Sequence, residues 1–192
     1  MNTDDIINEL NEHNFDFDLT VVSRQSCRSF SDKPVDKELL LKLINNTRMA
    51  PSACNSQPWR FIVVQGEKAR LVKDAVQLDG RNKFTEDCPA FTIVVEQKAT
   101  LAKGVAIRFD QQKFAQIDIG IATAFYTLTA TNLGLSTCIL GWFDEEKINK
   151  DFNISPDEKV RLVLATGYAA DNYELRNKVR KSVDEAADFI CD

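Results

Sequence analysis

From Ile119 to Phe143 the chain carries no Asp, Glu, Lys or Arg, and this stretch restricts its fold more than any other. A run of that length is sufficient to cross a bilayer. Its composition opposes that reading, because Thr123, Thr127, Thr129, Thr131, Asn132, Ser136 and Thr137 interrupt it. Hydroxyls and amides are costly in hydrocarbon. Asn132-Leu-Gly134 also has the form of a helix ending, since glycine adopts the left-handed conformation that closes helices. The run therefore reads as a buried helix followed by a buried strand, with no membrane required.

The flanking pattern agrees. Phe114, Ile117, Ile121, Phe125 and Leu128 recur at three- and four-residue intervals, which predicts one long helix from about Phe109 to Asn132. Upstream, Thr3 to Asn14 reads as a short acidic helix. A second helix begins near Pro34, where Asp36 and Glu38 suit the dipole of a first turn and Leu39, Leu40, Leu43 and Ile44 share a face. It stops before Pro51, because a proline disfavours helical geometry at the preceding residue. Strands are expected at Trp59 to Val64, Phe91 to Val95, Thr137 to Leu140 and Val160 to Thr166, with helices at Glu67 to Gln77 and Asp144 to Phe152. Helices alternating with buried strands imply an α/β or an α+β fold. The segment 171–192 has few large apolar residues, so it should wrap a surface and reach a partner chain.

No repeat or linker divides the 192 residues, and a single domain over 1–192 follows. The net charge of −5 excludes the basic bias of a nucleic-acid binder. Charge is nonetheless uneven. Asp4, Asp5, Glu9, Glu12, Asp16 and Asp18 crowd the start, and Arg176, Lys178, Arg180 and Lys181 crowd a short segment near the end. Solvated surface is the plain reading of both. The cysteines Cys27, Cys54, Cys88, Cys138 and Cys191 are odd in number, widely spaced and include no C-x-x-C pair. They are read as free thiols in a reducing cytoplasm, with no disulfide framework and no metal site.

Eliminations narrow the chemistry. The only histidine is His13, in the acidic leader, so mechanisms built on a histidine base have poor material. There is no G-x-S-x-G, H-E-x-x-H, Walker loop or G-x-G-x-x-G turn. A chain with so little acid–base apparatus suits an enzyme whose cofactor carries the reaction. A non-catalytic binding module satisfies the same absences.

Three constellations are positive. In Arg24-Gln-Ser-Cys-Arg28-Ser-Phe30, two guanidinium groups stand four residues apart with hydroxyls between them. On a helix or helix end they would share a face, and forks of this kind suit a phosphate monoester. In Ala50-Pro-Ser-Ala-Cys-Asn-Ser-Gln-Pro-Trp-Arg-Phe61, a loop presents Ser52, Asn55 and Gln57 just before a strand. Those groups can pair with the polar edge of a flat heterocycle. Leu175-Arg-Asn-Lys178-Val-Arg180-Lys181 is a basic cluster able to complete the anion site of Arg24 and Arg28.

With these motifs in family order over roughly residues 20–185, the sequence resembles the nitroreductase family, FMN-dependent NAD(P)H oxidoreductases. The carrying strings are R-x-S-x-R, P-S-x-x-N-x-Q-P-W-x-F, Asp118-Ile-Gly120, Gly134-Leu-Ser-Thr-Cys-Ile-Leu-Gly141 and the terminal K-x-R. The resemblance implies an α+β fold, a mostly antiparallel sheet flanked by helices, with a C-terminal extension reaching the partner subunit. It implies a homodimer with FMN at the interface, NADH or NADPH as electron donor, and a small electron-poor acceptor such as a nitroaromatic or quinone, served in ping-pong order. Dehalogenation, flavin fragmentation or non-catalytic flavin sensing on the same scaffold are the alternatives.

Carried over position by position, the resemblance implies that Arg24, Ser26, Lys178 and Arg180 hold the FMN phosphate. Arg28 matches a basic position near the ribityl chain and the flavin pyrimidine. Pro51, Ser52 and Asn55 match a loop given by the partner subunit, supported by Gln57. Ile139, Leu140 and Gly141 match a turn along the isoalloxazine that acts through backbone groups. Gln25 stands where a second arginine or histidine is common, and Cys27 where a small or β-branched residue is common, so a slightly altered flavin environment is expected. No side chain is required as an obligatory acid or base.

Overall fold

Four stretches rich in β-branched and aromatic residues pair into one sheet. They are β1 (Trp59–Gln65), β2 (Ala90–Glu96), β3 (Ser136–Leu140) and β4 (Lys159–Gly167), in the order β1-β2-β4-β3 with every pair antiparallel. The computed structural model describes residues 17–108 and 110–191. The acidic helix expected over Thr3 to Asn14, His13, and the expected helix start at Phe109 lie outside the described residues. Antiparallel pairing throughout decides for α+β.

Every residue of β2 is buried, so both faces of the central pair β2–β4 must be covered. Side-chain alternation divides the cover. Phe91, Ile93, Val95, Val163 and Ala165 point into one core, with Val72 and Val76 of α3 (Ala69–Val76) and Ile148 of α6 (Glu145–Asp151). Ala90, Val94 and Leu164 point into the other, with Leu40 and Leu43 of α2 (Lys37–Thr47) and Ile119, Ala122 and Tyr126 of α5 (Gln111–Asn132). The result is helices on both sides of a sheet, each side set by the two-residue period of the strands.

Local chemistry explains the helix ends. Asp36 caps α2 by accepting the Glu38 N–H, and Asp110 caps α5 by accepting the Gln112 N–H. Gly134, at φ 73°, ends α5 as expected. Tyr126, wholly buried, shares its hydroxyl with Thr92 Oγ1 and Thr166 Oγ1 at 2.8 Å each, fastening the long helix to both central strands. Burial pushes its pKa up to about 12. Among the described residues, no helix is long and apolar enough to cross a membrane.

Two sequence expectations change. The large apolar series of α5 is not its core face: Ile117 is 61% and Phe125 38% exposed, while Ala115, Ile119, Ala122, Tyr126 and Ala130 face inward. Small residues let the helix lie close to the sheet and α2, which leaves the bulky series on the outside. Three short helices were not expected: α1 (Phe17–Ser23), α4 (Lys103–Ala106) and α7 (Val183–Ala186), the last opening on a Ser182–Glu185 capping box. Helices of one or two turns contain too few residues to show a period. The predicted helix from Glu67 to Gln77 is a 3₁₀ turn, Gly66–Lys68, followed by α3.

Gly167 closes β4 where the chain is tightest. A Cβ there would lie 2.6 Å from Pro89 Cδ and 3.3 Å from Phe30 Cδ1. Gly167→Ala should therefore destabilise the fold by about 1–3 kcal/mol, the usual cost of overpacking. Urea unfolding measures this; a change below ~0.5 kcal/mol would mean that Pro89 gives way freely.

Candidate functional site

The segment carrying Arg24 and Arg28 is not helical. Helix α1 ends at Ser23 and the backbone becomes extended, with Ser26 bridged in parallel to Thr137 of β3 and Phe30 bridged to Ala169. The helical face expected for the two arginines is thereby corrected. In an extended chain, alternate residues share a side. Arg24, Ser26 and Arg28 line one cavity of ≈ 260 Å³, and Cys27 between them is 0% exposed. Its thiol donates to Ser29 O at 3.1 Å. Cys27 thus turns into the core, away from the cavity its neighbours line.

The C-terminal segment forms the opposite wall of the cavity, through Arg176, Asn177, Lys178, Val179 and Arg180. Three side chains join the two walls. Gln25 donates to Glu174 O at 3.0 Å and accepts the Arg176 N–H at 3.1 Å. The Tyr173 hydroxyl accepts the Arg28 N–H at 2.9 Å and donates to Ser26 O at 3.3 Å. The Arg176 guanidinium donates to Ser26 O at 2.7 Å. Gln25 lines the cavity as expected, but its amide is engaged in holding the tail. Tyr173 and Arg176 were not singled out as site residues. Arg176 belonged to a visible basic run, whereas nothing local to Tyr173 marks it.

Arg24, Arg28, Arg176, Lys178 and Arg180 meet here with no carboxylate among the described lining residues. The ion pairs among the described residues, Arg60–Glu158, Lys147–Asp151 and Arg161–Glu96, lie elsewhere. Desolvation first, and then Arg24, Arg180 and Arg176, hold the pKa of Lys178 below its ordinary value. Cations that repel one another in a recess fit an anion of more than one charge. The residues present therefore suit the phosphate of a mononucleotide such as FMN.

The loop after α2 is a separate feature. Pro51, Ser52, Asn55 and Gln57 do not line the cationic cavity. Ser52 Oγ accepts the Gln57 N–H at 2.9 Å, and the Gln57 amide donates to Asn55 Oδ1 at 3.1 Å. Cys54, Asn55 and Gln57 all have φ near +50°, a region that non-glycine residues seldom occupy. Behind the loop, both carboxylate oxygens of the buried Asp118 lie 3.2 Å from the Ala53 N–H. At the end of β3, Ile139 is 43% exposed and Leu140 is in the core opposite Val163. Gly141 follows Leu140 at the surface.

Other chemistry is poorly served. Burial raises the pKa values of Cys27 and Cys138 and takes Cys88 up to about 12, so these thiols are poor nucleophiles. All five cysteines are free. Among the described residues, no group of His, Cys, Asp or Glu is placed to hold a metal ion.

The profile of the nitroreductase family matches residues 21–168. The chain belongs to the nitroreductase family. A Streptococcus pyogenes protein bearing an NAD(P)H nitroreductase name is 27% identical over 191 residues, covering 84% of this chain and 93% of its own. The iodotyrosine deiodinase of Hydra vulgaris is 24% identical over 200 residues, covering 92% of this chain and 74% of its own. A nitroreductase-named structure from Exiguobacterium sibiricum, solved in complex with FMN, shares the fold at a TM-score of 0.79 and 21% identity, covering 92% of this chain and 98% of that one. The family match begins just ahead of Arg24 and ends before the tail that completes the cavity.

The cation cluster predicts anion-dependent stability. Phosphate at ten times its dissociation constant should add about 1.4 kcal/mol, or about 3–6 °C in Tm for a chain of this size. Thermal scans at matched ionic strength test it: chloride should not substitute, and Lys178→Ala should diminish the phosphate effect.

Proposed function

We propose that this nitroreductase-family chain is a homodimeric, FMN-dependent NAD(P)H oxidoreductase acting on a small electron-poor acceptor. The observation that carries the reading is the cavity where Arg24, Ser26 and Arg28 meet Lys178 and Arg180 with no carboxylate among the described lining residues. The fold of the FMN-complexed Exiguobacterium protein and the NAD(P)H nitroreductase name of the streptococcal relative support it.

Bound FMN supplies two-electron chemistry, accepting from NAD(P)H and giving to the acceptor. The chain's residues place it and set its charge. Arg24, Ser26, Lys178 and Arg180 take the phosphate, with Gln25, Tyr173 and Arg176 holding the two walls in register. Arg28, next along the same side of the extended segment, would face the ribityl chain and pyrimidine, where a guanidinium favours negative charge. The backbone from Ile139 to Gly141 borders the ring. Pro51, Ser52, Asn55 and Gln57, which stand apart from the chain's own cavity, serve the flavin of the partner subunit. The exposed apolar face of α5, with Ile117 and Phe125, is the surface that a second copy covers. The exposed tail beyond Arg180, with Phe189 and Ile190, extends over that copy. Such a protein works in the cytoplasm without membrane or nucleic acid. One site serving donor and acceptor in turn gives ping-pong kinetics.

The deiodinase relative favours a second reading, reductive dehalogenation on the same scaffold. NAD(P)H oxidation with a nitroaromatic, against a halogenated phenol, separates the two. Oxidation with neither acceptor, by protein that holds FMN, points to a flavin-binding module.

Purified protein is expected to be yellow, to sediment as a dimer and to release FMN on denaturation. Arg24→Ala or Arg180→Ala should weaken FMN binding by about 1.5–3 kcal/mol, the worth of a charge-assisted hydrogen bond, or about ten- to more than a hundredfold in Kd. Riboflavin, lacking the phosphate, should lose less. Equal losses for both ligands would refute the phosphate assignment, and FAD in place of FMN would refute the cofactor.

A further inference from the structure

Asp118 is the most unusual polar residue outside the cationic cavity. It sits on the inward face of α5 and is 4% exposed. A carboxylate has room for about four hydrogen bonds, and both of its oxygens are aimed at one donor, the Ala53 N–H. Buried carboxylates elsewhere in the chain have fuller partners: Glu96 has both Arg161 and Gln112. Asp118 spends its charge on one amide of a loop.

That loop needs an external hold. Cys54 (φ 52°), Asn55 (φ 52°) and Gln57 (φ 46°) are left-handed within four positions and none is glycine. Such conformations persist only where the surroundings over-determine them. The loop's own bonds are a short turn, with Asn55 N–H to Ser52 O at 3.0 Å and Ser56 N–H to Ala53 O at 3.0 Å, plus the Ser52 cap on Gln57 and the Gln57 amide to Asn55 Oδ1 at 3.1 Å. Outside the loop, Thr100 N–H meets Ser56 Oγ at 2.7 Å. Asp118 is the charged group at its base, on a helix that the Tyr126 hydroxyl ties to the sheet.

We propose that Asp118 is a positioning residue: from the rigid long helix, its carboxylate holds the Ser52–Gln57 loop in the left-handed form that presents Ser52, Asn55 and Gln57 to the flavin. This rests on the flavin reading above and adds the group that sets the loop. Asp118 touches no reacting atom; it acts through Ala53.

Two substitutions act on the same contact from opposite sides, the first leaving a neutral acceptor oxygen and the second leaving no donor. Asp118→Asn keeps the shape and removes the charge. Ala53→Pro removes the N–H; Ser52, at φ −146° and ψ 155°, already has the extended geometry that a following proline demands. The first measurement is peptide-resolved hydrogen exchange on the flavin-free, full-length protein. In Asp118→Asn, amides 54–57 should exchange about tenfold faster or more, with β2 and the second half of α5 unchanged. The second is the Kd of FMN and of riboflavin. Each variant should weaken both ligands by the same factor, about tenfold, because the loop faces the ring and not the phosphate. The double variant should be no weaker than the worse single one, since without the Ala53 N–H the charge of Asp118 has no contact left to strengthen.

Unchanged loop exchange, exchange rising in step across the whole chain, flavin affinities equal to the parent's, or losses that multiply in the double variant would each overturn the proposal. A parent chain that binds neither FMN nor riboflavin would instead overturn the flavin reading, while loop exchange still decides whether Asp118 holds the loop.

Discussion

The rest of this structure depends on the burial of β2 and β4 on both faces. A sheet whose central pair is apolar on both sides must be covered twice, and the two-residue alternation decides which side chain meets which cover. Phe91, Ile93 and Val163 call for α3 and α6; Val94 and Leu164 call for α2 and α5. Tyr126 makes the second cover rigid, because its hydroxyl reaches Thr92 and Thr166 on neighbouring strands at once. With α5 immobilised, everything seated on it is placed, including Asp118 and the loop beginning at Pro51.

The same burial makes β3 an edge strand, and the candidate site is built there. The extended chain after α1 runs beside β3 through the Ser26–Thr137 bridge. The segment after β4 returns to that edge, where Gln25 and Tyr173 join it to the first. Residues about 150 positions apart in sequence thus become walls of one cationic recess. The repulsion within it opposes folding, and an anionic ligand relieves it. The cluster differs from scattered surface charge in that cations of both segments share one recess, with no carboxylate among its described lining residues.

Much of this was legible beforehand. The four strands, α3 and α6 stand within a residue or two of where pattern placed them, α2 starts three residues after Pro34, and Gly134 follows α5 as expected. The family resemblance over Arg24 to Arg28 and Asn55 to Phe61 agrees with the family match across residues 21–168, which ends before Lys178 and Arg180. The face of α5 was less legible, because periodicity reports that a helix has apolar stripes without saying which one the chain itself covers. Ile117 and Phe125 carry large side chains, yet Ala115, Ala122 and Ala130 turn inward beside Ile119 and Tyr126, the alanines making room for Tyr126 against the sheet.

What the sequence by itself determined was the inventory: helices and strands, the absence of histidine-based chemistry, and two basic clusters able to hold an anion. Periodicity, capping and turn preference are local properties, and each is written within a few residues. What only the tertiary structure decided was the company those residues keep. The extended form of Arg24 to Arg28 comes from the bridge to Thr137, and it puts Arg24, Ser26 and Arg28 on one side with Cys27 on the other. Tyr173 and Arg176 became site residues because the tail folds back on Ser26. Asp118 acquired its part from the position of a loop sixty-five residues earlier. Contacts between distant segments depend on how the covered sheet closes, and no short window of sequence contains them.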